Sequence, residues 1–170
     1  MAGHRPPGVV IMDDDVIVGG TARRGRYRTL NFRNRLIVAD DNDRADIDAQ
    51  DDFYHLEYVI DGGGAAITTG VKGDLEVPQN GTITGWTALA DQSGSIVVDV
   101  WKDTYANFPP TVADTIAGSE KPTISSALKG QDLALSTWTT AVTRGDIIRF
   151  NVDSITTCQR VTISIRVTKT

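Results

Sequence analysis

Near the end of the chain, Val161, Ile163, Ile165 and Val167 alternate with Thr162, Ser164, Arg166 and Thr168. A strict period of two puts four branched apolar side chains on one face of an extended segment and four polar ones on the other. A helix would scatter the same residues around its axis, so this segment is a half-buried strand. Ile148, Phe150 and Val152 alternate with Arg149 and Asn151 in the same way. Ile96, Val98 and Val100 form one face of a third such segment, with Val97, Asp99 and Trp101 on the other.

Further strands are expected around Leu75–Val77, Thr82–Leu89, Thr123–Ala127 and Leu133–Trp138. Asn80-Gly81, Ser93-Gly94, Lys129-Gly130 and Arg144-Gly145-Asp146 read as the turns between them. Abundant threonine and serine, 16 glycines and few leucines agree with strand and turn over helix. Asp103–Glu120 is the one long irregular stretch, where Pro109-Pro110 excludes a regular helix. Seven or eight short strands with this punctuation predict an all-β fold, an antiparallel β-sandwich of jelly-roll type, over residues 65–170. Phe150, Val152, Val161, Ile163, Ile165 and Val167 are its expected interior.

Gly62-Gly63-Gly64 supplies backbone freedom without packing surface, so the domain boundary is placed there, giving residues 1–64 and 65–170. The first part holds 8 Lys+Arg and 12 Asp+Glu, so charge is concentrated in the shorter piece. It reads as an N-terminal arm, Met1–Gly8, followed by short strands. These are Val9–Met12, ended by Asp13-Asp14-Asp15, then Thr29–Phe32, then a hairpin of Leu36–Val38 with Ala45–Asp48 around the turn cluster Asp40–Asp43. Strands this small cannot bury a core alone. The patches Val9–Met12, Leu30 with Phe32, Leu36–Val38 and Tyr54–Ile60 are therefore expected to dock elsewhere, and the segment to serve anchoring and oligomerisation.

Several features bear on chemistry. Asp40, Asp41, Asn42, Asp43, Asp46 and Asp48 offer oxygens to a hard cation, but they lack the central glycine and terminal glutamate of a calcium loop. A solvated turn is the reading, and no metal or cofactor is expected. Arg23, Arg24, Arg26, Arg28, Arg33 and Arg35 form a basic run that could meet phosphates. Acidic runs flank it and the chain carries a net charge of −5, which favours an acidic protein surface or intersubunit ion pairs over nucleic acid. His4 and His55, the only histidines, adjoin no nucleophile motif, and no phosphate loop or metalloprotease motif is present, so no enzyme is expected. Trp86 and Trp101 are read as core, while Tyr105 and Phe108, in the irregular stretch, are candidates for stacking on a glycan. Cys158, the lone cysteine, is read as a small apolar filler. No apolar run approaches membrane-spanning length and the start has no apolar leader core, so assembly in a cytoplasm without membrane insertion is expected.

The runs Ile67–Pro78, Ile83–Thr87, Ala90–Thr111 and Gly145–Ser154, with the final alternating strand, are long enough to be specific. Residues 66–170 thereby resemble a domain of tail fibres, spikes, baseplates and other minor structural proteins of tailed bacteriophages. Arg28–Phe32 followed by Ala39–Ile47 more loosely resembles a short hairpin of phage fibres. The resemblance implies a β-sandwich, commonly a homotrimer, with a scaffold role and no catalytic or cofactor residues. The expected function is a virion structural protein bound to other virion proteins: a short spike, head fibre or tail-tip component, with a host-surface glycan as a further partner. A carbohydrate-binding module is the alternative.

Overall fold

The computed structural model describes residues 9–12, 15–18, 36–41, 44–49 and 53–170, the first four of these segments by their backbone. The chain divides into two units, Met1–Asp51 and Asp52–Thr170.

In the first unit β1 (Val9–Met12) pairs antiparallel with β2 (Asp15–Val18), from Val9 opposite Val18 to Met12 opposite Asp15. β3 (Leu36–Asp41) pairs with β4 (Arg44–Ala49) in the same fashion, from Leu36 opposite Ala49 to Asp41 opposite Arg44. The expected hairpin is present, with Asp40 and Asp41 on its strand instead of in its turn. The expected strand Thr29–Phe32 lies outside the described residues.

The second unit is all-β, an antiparallel curled sheet, with no α-helix among the described residues. Its strands are β5 (Phe53–Asp61), β6 (Gly70–Glu76), β7 (Gly81–Thr104), β8 (Thr123–Asp132), β9 (Ala141–Val142), β10 (Asp146–Ile155) and β11 (Arg160–Lys169). β7 is the spine. Its second half pairs with β10, from Asp146 opposite Thr104 to Ile155 opposite Ile96, and its first half pairs with β11, from Val161 opposite Ala90 to Lys169 opposite Gly81. The two form one long ribbon that bends where residues 91–95 face 156–159. β6 extends it beside β10, β5 beside β11, and β8 runs along the other edge of β7 across the bend.

The bend falls on Ser93-Gly94, which the sequence suggests as a turn between separate strands. The chain instead stays extended and turns a corner. Thr156 N donates to Ser95 O at 2.9 Å, Ser95 N to Thr156 Oγ1 at 2.9 Å, and Asp91 Oδ1 accepts from Gln159 N and Arg160 N. A Cβ on Gly94 would stand 2.5 Å from Thr157 Oγ1 and 2.7 Å from Cys158 Sγ, so this corner closes only around glycine.

Curling buries one face. Ile96, Val98, Val100, Ile148, Phe150, Val152, Val161, Ile163, Ile165 and Val167 are all at most 1% exposed, as the alternation predicts. Tyr58 of β5 stacks on Phe150 of β10, ring centroids 5.1 Å apart, and its hydroxyl donates to Lys72 O of β6 at 2.6 Å. Side chains from both halves of the curled sheet thus meet in one core cluster. Trp86, Trp101 and Trp138 are buried, as is Cys158, whose thiol burial pushes up in pKa.

Four expectations are corrected. The boundary lies near residue 52, not at Gly62-Gly63-Gly64, because Phe53–Asp61 is a strand of the sheet with Leu56 and Ile60 in the core. The glycines make a tied turn: Gly62 N donates to Gln159 O at 2.7 Å, Gly63 N to Asp61 Oδ1 at 2.7 Å, and Gly63 and Gly64 take φ of +67° and +86°. Leu133–Trp138 is not a strand; Glu120 holds it as a loop. Lys129-Gly130 lies inside β8. Asn80-Gly81 does not join paired neighbours, since β6 and β7 both pair with β10; Asn80 Oδ1 instead accepts Arg144 N at 2.8 Å.

Candidate functional site

The two halves of the ribbon differ on their outer faces. Over the β6–β10–β7 half, the irregular segment after β7 crosses the sheet, with short 3-10 turns at Tyr105–Asn107 and Val112–Asp114. Thr115 Oγ1 donates to Asp99 Oδ1 at 2.6 Å, and Lys121 Nζ bridges Asp99 Oδ2 at 2.9 Å and Asp153 Oδ2 at 2.7 Å. Asp99 is 1% exposed. Burial works against its charge, but the Thr115 hydroxyl and Lys121 ammonium outweigh it and hold the carboxyl below its ordinary pKa.

Further along this face Arg149 makes a bidentate pair with Asp74, Nε to Oδ1 at 2.6 Å and Nη2 to Oδ2 at 3.0 Å. Its Nη1 donates to Pro110 O at 3.3 Å, and the guanidinium lies 5.1 Å from the centroid of the Phe108 ring. Three of the Arg149 N–H groups thus find acceptors within the chain. Phe108, 49% exposed, lids this ion pair, and Tyr105 projects into solvent at 78% exposure.

Among the described residues, the outer face of the β5–β11–β7–β8 half carries no such segment. Residues directly opposite across antiparallel strands share a face, so the pairing register maps this surface. One row runs Val59, Thr162, Leu89, Lys129; the next runs Glu57, Ser164, Thr87, Gln131; the third runs His55, Arg166, Gly85. Phe53 and Thr168 pair beyond them. Gly85 leaves the third row without a side chain, and Leu133 leans into the gap, its Cδ2 2.6 Å from where a Gly85 Cβ would sit.

The result is a groove of about 290 Å³ lined by Phe53, His55, Trp86, Thr87, Gln131, Leu133, Ser164 and Arg166. Phe53, Val59, Leu89 and Leu133 are 42%, 52%, 51% and 55% exposed, so apolar and polar groups are interspersed across the face. Arg166 stacks 5.1 Å from the Phe53 ring centroid, and among the described residues no carboxylate lies within ion-pair distance of it. Gln131 Nε2 donates to Thr87 Oγ1 at 2.9 Å, which leaves its carbonyl oxygen directed elsewhere.

Ser164 Oγ lies 3.2 Å from His55 Nδ1 and 3.3 Å from Glu57 Oε1, with His55 Nδ1 3.8 Å from the same carboxylate oxygen. A nucleophile relay uses one imidazole nitrogen for the hydroxyl and the other for the carboxylate. Here Nδ1 faces both, so the trio is a polar row and not such a relay. Among the described residues no three His, Cys, Asp or Glu side chains converge as a metal site.

Of the residues singled out in the sequence, Tyr105 and Phe108 are exposed on the crossing segment. The arginines Arg23, Arg24, Arg26, Arg28, Arg33 and Arg35 lie outside the described residues, as do the side chains of the Asp40–Asp48 cluster. The sequence gives no local sign of this groove, since its members come from four strands and the loop after β8, brought together only by long-range pairing. No protein-family model and no curated protein matches this chain.

Proposed function

We propose that this chain is a structural component of a bacteriophage virion, such as a short fibre, spike, head fibre or tail-tip or baseplate part. In this reading residues 52–170 form a displayed jelly-roll-like sandwich, and the N-terminal unit anchors it and joins copies into a homotrimer. The observation that carries the reading is the contrast between the two units. The second owns a complete core, whereas the first consists, among its described residues, of two-stranded hairpins of four and six residues per strand. Isolated hairpins of that size are marginal in water, so they call for surfaces from other chains, and the arginine run offers charge to such an interface. The resemblance of residues 66–170 to phage structural domains points the same way, and the inner-face packing of Tyr58 on Phe150 supports a two-layered sandwich.

Mass spectrometry of purified particles produced with and without the gene tests the assignment. The chain should be present at a copy number divisible by three, and a version lacking residues 1–51 should remain soluble yet be missing from particles. Absence of the full chain from particles, or normal incorporation of the truncated one, contradicts it. A second reading, a carbohydrate-binding module, is favoured by the groove on the outer face of the β5–β11–β7–β8 half and is compatible with display on a virion.

A further inference from the structure

We infer that the groove on the outer face of the β5–β11–β7–β8 half binds a saccharide bearing a carboxylate, with Arg166 as the carboxylate's partner and Phe53 as the wall for the sugar ring. This deepens the carbohydrate-binding reading and rests on it. It moves the contact from Tyr105 and Phe108 to the opposite part of the molecule.

Arg149 and Arg166 each lie 5.1 Å from a phenylalanine ring centroid, but among the described residues only Arg149 has a carboxylate partner, Asp74. A guanidinium presents a planar fork that matches a carboxylate through two parallel hydrogen bonds. Arg166 presents that fork from an exposed strand position, held over Phe53, with no carboxylate partner among the described residues. A positioned cation with no carboxylate partner among the described residues is complementary to an external anion.

The remaining lining suits a sugar better than an inorganic anion or a peptide carboxylate. Phe53 and Leu133 contribute apolar lining that the C–H faces of a pyranose can meet. Between them Ser164, Thr87 and Gln131 supply hydroxyl and amide groups on one plane, at the spacing of neighbouring strands, about 4.8 Å. That mixture of a few placed polar groups in an apolar cleft is the usual make-up of a small-ligand site. A volume of about 290 Å³ holds one or two rings and excludes a long chain from full burial.

Titration calorimetry on the full chain tests this with galacturonate trisaccharide, its methyl ester and N-acetylneuraminic acid as probes. The proposal expects saturable binding of at least one acidic probe, at least tenfold weaker for the methyl ester and weakened by salt. Arg166→Gln and Phe53→Ala should each weaken it at least tenfold, with thermal unfolding unchanged to show that the fold survives. No binding of either acid, or equal binding of acid and ester, overturns the proposal. So does concentration-dependent self-association that Arg166→Gln abolishes, because the face would then be a contact between copies. The virion reading fails separately: a chain absent from particles that still binds the acidic probe leaves the groove site standing, and an incorporated chain that binds no sugar leaves the structural role standing.

Discussion

Two arginines on two outer faces, each stacked on a phenylalanine, have opposite fates. Arg149 is crossed by the Asp103–Glu120 segment, clamped by Asp74 and capped by Pro110 O. Arg166 sits on a face that no other described segment crosses, beside a gap made by Gly85. The covered face spends its polar groups on one another, including the buried Asp99, and so contributes to stability. The other face holds half-exposed apolar side chains and a cation with no carboxylate partner among the described residues, which stability alone does not require. Stability and recognition are therefore expected to separate between the two halves of one ribbon.

The largest effect tests the core that both faces share. Phe150→Ala removes a fully buried ring stacked on Tyr58 and should cost about 3–5 kcal/mol by urea denaturation. A loss under about 1 kcal/mol would mean that the ribbon halves do not pack as described.

The covered face comes next. Asp99→Ala deletes the acceptor of Thr115 and a partner of Lys121, and should cost about 1.5–3 kcal/mol while making the segment before Lys121 more sensitive to protease. Gly94→Ala, at the corner between the halves, should cost about 1–3 kcal/mol, because its Cβ would meet Thr157 and Cys158 at 2.5 and 2.7 Å. A neutral outcome there would show that the bend is adjustable.

A smaller effect depends on pH. Hydrogen bonds from the Ser136 hydroxyl and from the Thr137 and Ser136 amides to Glu120 lower its pKa from 4.5 to about 2. A carboxyl depressed in the folded state stabilises above its ordinary pKa and loses that contribution as pH falls through the folded value. Glu120→Gln should therefore lower Tm at neutral pH, and its gap from wild type should narrow between about pH 4.5 and about pH 2. A gap that stays constant over that window would refute the assignment.

How much of this could be read from the sequence depends on range. The alternation in Val161–Val167 and Ile148–Val152 identifies strands and their inner faces because each has one face buried, and such a pattern is local. Tyr54, Leu56, Tyr58 and Ile60 show the same period, but the glycines after them look like a linker and assign the strand to the wrong unit. Positive φ at Gly63 and Gly64 serves a tight turn as readily as a flexible joint. Leu133–Trp138 resembles a strand in composition, yet four bonds to Glu120 and Trp138 Nε1 donating to Glu120 O at 3.0 Å fix it otherwise. The groove was illegible for a physical reason. Arg166 faces His55 and Gly85 only through pairings more than 80 residues apart, and a bulge between Arg166 and Val167 sets which side chains of β7 point outward.

The separation of roles is tested most directly by comparing Arg149→Gln with Arg166→Gln in one experiment, measuring thermal unfolding and binding of galacturonate trisaccharide on the same samples. The account predicts that Arg149→Gln destabilises by about 1 kcal/mol through loss of the Asp74 clamp and binds the sugar within twofold of wild type. It predicts that Arg166→Gln unfolds as wild type does and binds at least tenfold more weakly. If both variants lose binding equally, or if Arg166→Gln is the one that destabilises, the two faces do not divide stability from recognition.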